Sequence, residues 1–331
     1  MEQVTLKVFI TECTDPYRNL AAEELLLRYV EPNEVILYLW QNDNTVVIGR
    51  NQNAWRECSL ETLAAAQGKL ARRLSGGGAV YHDMGNQNFT FIAHNGLYDV
   101  SKQSDVICLA AQKFGIKAQR TGRNDIAASE RKFSGNAFYS TGSVQYHHGT
   151  ILLSSNMSKL GEFLTPSKEK LLSKGVESVR SRVVNLCELA PEITPEGMRR
   201  ALIASFEEVY SGKAEYIDES VLERDEWESL TKHYASREWT LGRLSDFDRQ
   251  FQKRLSFGEI ELLFTVSDGI IKNAVLYSDA MNADFIDAVR EALSGCKFDS
   301  SSIRESLSNL SIEKAQSSEL SDFLVSAVSS S

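Results

Sequence analysis

The stretch Arg72-Arg73-Leu74-Ser75-Gly76-Gly77-Gly78-Ala79-Val80-Tyr81-His82-Asp83-Met84-Gly85-Asn86 decides the reading of this chain. Three successive glycines remove every Cβ from a turn. Backbone can then pass close to a ligand, and successive N–H groups can converge on an anion. The paired arginines add permanent charge and bidentate donors suited to a carboxylate or phosphate. Taken alone, a triple glycine is more often a tight turn between strands. No Gly-Lys-Ser/Thr follows, so this is not a P-loop. The continuation Tyr-His-Asp does not open an apolar helix, so it is not a dinucleotide fingerprint either.

Other clusters lie downstream. Gly122-Arg123-Asn124-Asp125-Ile126 is followed by Arg131-Lys132-Phe133-Ser134-Gly135-Asn136-Ala137, where a lysine precedes what reads as a small-residue turn. Such a lysine can aim its ammonium at a phosphate; a solvated hairpin lysine is the plainer alternative. His147-His148-Gly149-Thr150 places adjacent histidines on opposite faces of a strand, so the pair does not share a metal. One is expected to face a site and the other to pack or meet solvent.

Around these motifs the patterning is mixed. Asp15-Pro16 opens a helix. Residues 35–40, 45–48, 88–93 and 145–153 read as strands, and Ser59 and Ser101 as starts of helices. Ile193-Thr194-Pro195 announces a helix reaching Tyr210. After a composition shift, 259–266 and 270–277 form a hairpin through Ser267-Asp268-Gly269. Asn282 then caps a helix, and two Ser-rich helical patterns close the chain. Residues 1–245 are expected to be a larger α+β domain and 250–331 a small α+β appendage.

Composition bounds the class. Of 331 residues, 42% are hydrophobic and 24% charged, enough for a sizeable core. The net charge of −9, from 36 basic and 45 acidic residues, argues against non-specific nucleic-acid binding. No apolar run spans a membrane, and no secretory leader is visible. The five cysteines, Cys13, Cys58, Cys108, Cys187 and Cys296, are scattered without a CxxC. Reduced thiols in a cytoplasmic protein are the simple reading.

In their order, Arg-Arg-Leu-Ser-Gly-Gly-Gly-Ala-Val-Tyr-His-Asp, Gly-Arg-Asn-Asp, Arg-Lys-Phe-Ser-Gly-Asn-Ala, His-His-Gly-Thr and Lys174-Gly175-Val176-Glu177-Ser178-Val179-Arg180-Ser181-Arg182-Val183 resemble the bacterial lipoate–protein ligase A family. The likeness begins at Thr14-Asp15-Pro16-Tyr17, continues through Val47 to Asn53, and covers most of residues 8–210. It implies the biotin/lipoyl protein ligase fold: an α+β mixed sheet flanked by helices, with a small accessory domain.

The resemblance also implies ATP-dependent joining of lipoate to a carrier lysine through lipoyl-AMP, with Mg²⁺ neutralising the triphosphate and no permanently bound cofactor or protein metal site. Carried over, Arg73, Ser75, Gly76, Gly77, Gly78, Ala79, Val80 and Tyr81 bind the nucleotide or adenylate. Asn124, Asp125 and Arg180 join them. Lys132 is the catalytic residue and touches both acyl carbonyl and phosphate. His82, Asn86 and His148 complete the lipoate site. Val47, Val80, Phe89 and Phe91 are candidates for an apolar slot, though core packing is the plainer reading of each. Lys168, Lys170, Lys174, Arg180 and Arg182 would sit on a lid. Implied partners are apo lipoyl domains of 2-oxoacid dehydrogenases or glycine cleavage H protein, with no nucleic acid or membrane, for a monomeric cytoplasmic enzyme. The rivals are an acyltransferase of the same fold using a cysteine thioester, a silent lipoate-binding domain, and a biotin ligase.

Overall fold

The structure, a computed structural model, describes residues 4–122, 124–164, 183–242 and 247–329. The chain falls into two units. One holds residues 1–47, 55–72 and 79–240; the other holds 48–54, 73–78 and 241–331. The glycine turn and the segment after Val47, which sequence alone places with the larger domain, thus belong to the C-terminal unit.

The larger unit is built on an eight-stranded sheet. Its strands in chain order are β1 (Thr5–Ile10), β2 (Glu34–Trp40), β6 (Asn86–His94), β7 (Ala118–Thr121), β8 (Asp125–Ala128), β9 (Arg131–Ser140), β10 (Val144–Leu152) and β11 (Ala214–Ile217). Three short strands, β3 (Thr45–Ile48), β4 (Lys69–Arg72) and β5 (Val80–His82), form a separate sheet. The large sheet runs β11-β1-β2-β6-β10-β9-β8-β7. β1 is parallel to both neighbours, and the remaining pairs are antiparallel.

Strand alternation splits the sheet into two unlike faces. One face carries Leu37, Leu39, Phe89, Phe91 and Ile151. It is buried with residues such as Val106 and Ile107 of helix Val100–Gln112 and Leu202 and Phe206 of helix Pro195–Tyr210. Phe91 lies 6.0 Å, ring to ring, from Phe206. Thr194 caps the second of these helices by accepting from the Gly197 N–H, and Pro195 needs no partner at its first turn. The other face lies under helix Pro16–Tyr29, capped by Asp15 as its sequence predicts. Helix Arg224–Ala235 packs on that helix in turn: Trp227 Nε1 donates to the Arg18 carbonyl at 2.9 Å, and the Arg18 guanidinium covers the Trp227 ring.

Several sequence expectations need correction. Residues 133–135 are not a turn: Lys132, Phe133, Ser134 and Gly135 lie inside the ten-residue β9. Gly135 leaves room for the Lys132 side chain, and local pattern cannot separate that use of a small residue from a turn. The helix expected to start at Ser101 starts one residue earlier, at Val100, with Asp99 as its cap. Ser59 makes no backbone cap for helix Leu60–Ala65; its hydroxyl bonds Thr62 instead.

The C-terminal unit contains β12 (Arg249–Leu255), β13 (Gly258–Ser267) and β14 (Ile270–Ser278), under helices Ala283–Leu293, Ser300–Ser308 and Lys314–Ser329. Its core includes Ile260, Leu262, Phe264, Phe285, Val289, Leu307 and Leu320. Asp268 and Gly269 both adopt positive φ, as a two-residue hairpin turn requires. In this unit, β12 is a strand that sequence reading missed, because Gln250, Gln252 and Lys253 leave it mostly polar and exposed.

Candidate active site

Lys132 reaches its position through an irregularity in β9. Ile126 of β8 pairs with Ser134, but the next residue, Ala127, pairs with Lys132. Phe133 therefore has no partner on β8, and the strand carries one extra residue there. A bulge of this kind breaks the two-residue alternation and re-aims a side chain. Phe133 is fully buried in the core. Lys132 instead lies over Gly135, where an added Cβ would meet its Nζ at 2.8 Å. Its ammonium stands 2.7 Å from Asp125 Oδ1, in an ion pair about one-third exposed on both sides.

The registers then place a row of side chains across this face. Asp125 pairs with Gly135, Gly135 with Thr150, Thr150 with Asn88, and Asn88 with Trp40. The adjacent row holds Ala137, His148, Thr90 and Tyr38. Trp40 Nε1 donates to Thr90 Oγ1, Thr90 donates to Glu23 Oε1, and Glu23 meets His148 Nδ1 at 2.8 Å. Glu23 is 2% exposed, and its carboxyl group is held in the interior by a hydroxyl and an imidazole. Near the far end of the first row, the Trp40 ring lies 6.1 Å from that of His82, whose Nδ1 is 3.1 Å from Asn42 Nδ2. Asn86 Nδ2 donates to Asn88 Oδ1 at 2.7 Å.

Lys132, Asn86 and His148 thus share one sheet face, with His82 beside its far end. Asn88, Thr90, Thr150, Trp40 and Glu23 belong to the same surface and were not singled out from sequence. The signal for Asn88 and Thr90 is the alternation Asn88-Phe89-Thr90-Phe91, with one polar and one apolar side. Phe89 and Phe91, candidates for an apolar slot, sit on the opposite face in the core, as the plainer reading had it. Val47 is 2% exposed within β3.

His147 also points to the opposite face. Its Nδ1 is 3.1 Å from Gln103 Oε1, and its Nε2 is 2.8 Å from Asn136 Oδ1. Burial, then the neighbouring His148 and Arg120, push its pKa down to about 3. The ring is therefore neutral at ordinary pH and serves as a hydrogen-bonding strut. Asn136 Nδ2 donates to the Asn124 carbonyl and Asn124 Nδ2 to the Asn136 carbonyl, which fixes the turn leading to Asp125.

Ala79 precedes β5, and Val80 and Tyr81 lie on it. Tyr81 is buried against Phe163, its hydroxyl donates to Asn44 Oδ1, and burial raises its pKa to about 12. Arg72 is engaged elsewhere: its Nε and Nη2 donate to the carbonyls of Trp239 and Thr240 at 2.8 and 2.9 Å. That is a helix C-terminal cap, so Arg72 is committed to the fold and is not available to bind an anion.

In the C-terminal unit, Arg73 curls round its own turn. It donates to Ser75 Oγ and to the carbonyls of Gly76 and Gly78. The Gly77 N–H donates to the Ala280 carbonyl at 3.1 Å. A Cβ at Gly76 would lie 2.3 Å from that carbonyl, which is why this position excludes any larger residue. Gly78 has open space on its Cβ side. Arg180, with the rest of the basic segment 168–182, lies outside the described residues. Among the described residues no three His, Cys, Asp or Glu side chains are grouped to hold a metal. Burial raises the thiols of Cys58 and Cys108 to about 11, far from a nucleophilic thiolate.

Residues 15–207 match the Lipoyl protein ligase A/B catalytic domain, and residues 245–325 match the bacterial lipoate protein ligase C-terminus. The chain belongs to the lipoate–protein ligase A family. Lipoate-protein ligase A of Psychrobacter cryohalolentis is 38% identical over 315 residues, 92% of each chain. Among solved structures, P. falciparum LipL1 in complex with lipoate superposes with a TM-score of 0.87 at 31% identity, covering 97% of this chain and 99% of that one. A lipoate-protein ligase A bound with ATP gives 0.61 at 25% identity, covering 73% of this chain and all of that one. Family and fold are therefore those that the ordered motifs suggested, and the chain is a ligase.

Proposed function

We propose that this chain activates lipoate with ATP and passes the acyl group to a lysine of an apo lipoyl domain, with Lys132 at the reacting centre. The observation that carries this is the placement of Lys132: its ammonium lies over Gly135 on a polar, half-closed face and leans on Asp125. The relatives add that a family member has been seen with lipoate and another with ATP.

In the first step a lipoate carboxylate oxygen attacks the α-phosphorus. The bond from that phosphorus to the bridging oxygen breaks, and pyrophosphate leaves with the electron pair. Magnesium enters as part of the nucleotide substrate, with phosphate oxygens among its ligands. In the second step the carrier lysine, as free amine, attacks the acyl carbon. The bond to the phosphate oxygen breaks, AMP leaves, and the amine proton passes to solvent. Negative charge grows on oxygen in both steps. A fixed ammonium at the reacting centre stabilises that charge more than it stabilises the ground state. Lys132 fills this role, and Asp125 fixes where its ammonium sits.

Arg73 and the turn Ser75–Gly78, Ala79, Val80, Tyr81, Asn124 and Asp125 are assigned to the nucleotide, and His82, Asn86 and His148 to the acyl group. The carrier is a lipoyl domain of a 2-oxoacid dehydrogenase or the glycine cleavage H protein. The five free thiols agree with a reducing, cytoplasmic setting, and the enzyme is taken to act as a monomer. Among the described residues no helix is long and apolar enough to cross a membrane.

The test combines the protein with lipoate, Mg·ATP and an apo lipoyl domain. The expected result is a lipoyl mass increment on one carrier lysine, with one pyrophosphate and one AMP released per transfer. Transfer from an acyl carrier without ATP, abolished by Cys187→Ser at the cysteine nearest after the basic segment, would replace this reading with a cysteine acyltransferase.

A further inference from the structure

The pair Asn86 and Asn88 has hydrogen-bonding capacity that the described residues do not use. Both side chains are essentially buried, at 0% and 1% exposure. Asn86 Nδ2 donates to Asn88 Oδ1, which leaves Asn86 Oδ1 and Asn88 Nδ2 buried without a hydrogen-bond partner among the described residues. Turning both amides over exchanges which residue holds the spare N–H. One donor and one acceptor remain in either arrangement. Buried polar groups are nearly always satisfied, and leaving one unmade costs about 1–3 kcal/mol. The backbone here is firmly held, so the spare groups do not come from a loose strand. Gln41 Nε2 donates to the Met84 and Asn86 carbonyls, and Gln87 Nε2 to those of Trp40 and Asn88. Arg199 in turn donates to the side-chain oxygens of both glutamines.

The location gives these groups a purpose. Asn88 is in register with Thr150, and Thr150 with Gly135, over which the Lys132 ammonium lies. Two strand spacings of roughly 4.8 Å separate the Asn88 and Gly135 lines, on the order of 10 Å. That span fits a carboxyl held at Lys132 with a short methylene chain leading along the row. Beyond Asn88 the row meets Trp40, whose ring is close to that of His82. The far end of an acyl chain therefore meets an aromatic wall with an unpaired amide in its floor. A plain hydrocarbon tail offers that amide nothing, whereas a dithiolane sulfur accepts a weak hydrogen bond.

We propose that Asn88, set by Asn86, is a specificity residue that favours an acyl chain ending in a sulfur-bearing ring over a plain fatty acyl chain of similar length. The inference rests on the ligase reading and deepens it. Lipoate satisfies the spare N–H, and octanoate leaves it buried and unmet. Because a sulfur is a poor acceptor, the discrimination is modest, about tenfold in kcat/KM.

The experiment measures acid-dependent pyrophosphate release with lipoate and with octanoate, for the wild type, Asn88→Leu, Asn88→Ser and Asn86→Leu/Asn88→Leu. The wild type should favour lipoate by about tenfold. Asn88→Leu and the double variant should bring the ratio close to one, chiefly by improving use of octanoate. Asn88→Ser, which keeps a smaller hydroxyl donor, should fall between. Binding of each acid alone, measured by calorimetry without ATP, should show the same order. An unchanged ratio in an active Asn88→Leu or Asn88→Ser protein overturns the proposal, as does an equal loss of both acids. No pyrophosphate from wild type with either acid, while both bind, would instead strike the ligase reading.

Discussion

On β6, Phe89 and Phe91 turn one way and Asn86, Asn88 and Thr90 the other. The same is true of His147 and His148 on β10. The first set is packed among aromatic and aliphatic side chains beneath two helices. The second faces Lys132, Thr150 and Glu23. Strand geometry gives both sets in a single stretch, since successive side chains leave opposite faces. A substitution moved by one residue should therefore change which property fails. On the packed face it should lower stability, and on the polar face it should lower rate while the fold persists.

The largest expected effect is on the packed face. Phe91 is fully buried and touches Phe89, His147 and Phe206. Phe91→Ala should cost about 3–5 kcal/mol of unfolding free energy, from lost transfer energy and the cavity left behind. Urea denaturation reads this directly. A cost below about 1 kcal/mol would mean the two faces are less distinct than their packing shows.

Across the sheet, Lys132→Ala should lower lipoate-dependent pyrophosphate release by ~10²–10³-fold, because a fixed cation at the reacting centre is lost. Its ammonium is partly exposed, so stability should change little. Near-normal turnover in this variant would remove Lys132 from the centre. A sharper cut comes from Gly135→Ala. The new methyl would meet the flexible end of Lys132 and no rigid backbone, so the fold should tolerate it. The displaced ammonium should still cost about 10²-fold in rate. If Gly135→Ala unfolds the protein, strand packing rather than lysine placement explains that glycine.

The same contrast separates what was legible in the sequence from what was not. The motifs with strong local chemistry were legible: Asp15-Pro16, Thr194-Pro195, Asp268-Gly269 and the ordered ligase motifs each act through residues near one another in sequence. The setting of Lys132 was not. Its direction depends on Phe133 having no partner on β8, and pairing between strands leaves no trace in a single strand's pattern. Small residues therefore looked like a turn. β7 and β12 were missed for a related reason: both are exposed strands at a sheet edge, without an alternating apolar face to mark them. Arg72 and Arg73 looked alike as neighbours, and only the fold shows that Arg72 caps a helix end 167 residues away.

The smallest predicted effect concerns the adjacent histidines, which carry the contrast between the faces within one dipeptide. His147 is buried between Gln103 and Asn136, and its pKa is lowered from 6.5 to about 3, first by burial and then by His148 and Arg120. Between those two pH values the unfolded chain binds a proton that the folded chain does not. Stability from this residue is therefore complete above about pH 6.5 and declines as pH falls towards 3. From pH 7.5 to 5.5 the loss should be about 1.4 kcal/mol, since one unit below the unfolded pKa corresponds to roughly one factor of ten. Other groups contribute to the acid response as well, but they remain in a His147→Gln variant. The wild type should thus lose about 1.4 kcal/mol more than His147→Gln over this interval, read by urea denaturation at both pH values. His148→Gln, one residue on, should leave the acid response of His147 in place and act instead on turnover, because His148 meets Glu23 on the polar face. Equal pH dependence in the wild type and His147→Gln would show that His147 takes up a proton within the fold, and that the packed face opens to water at that point.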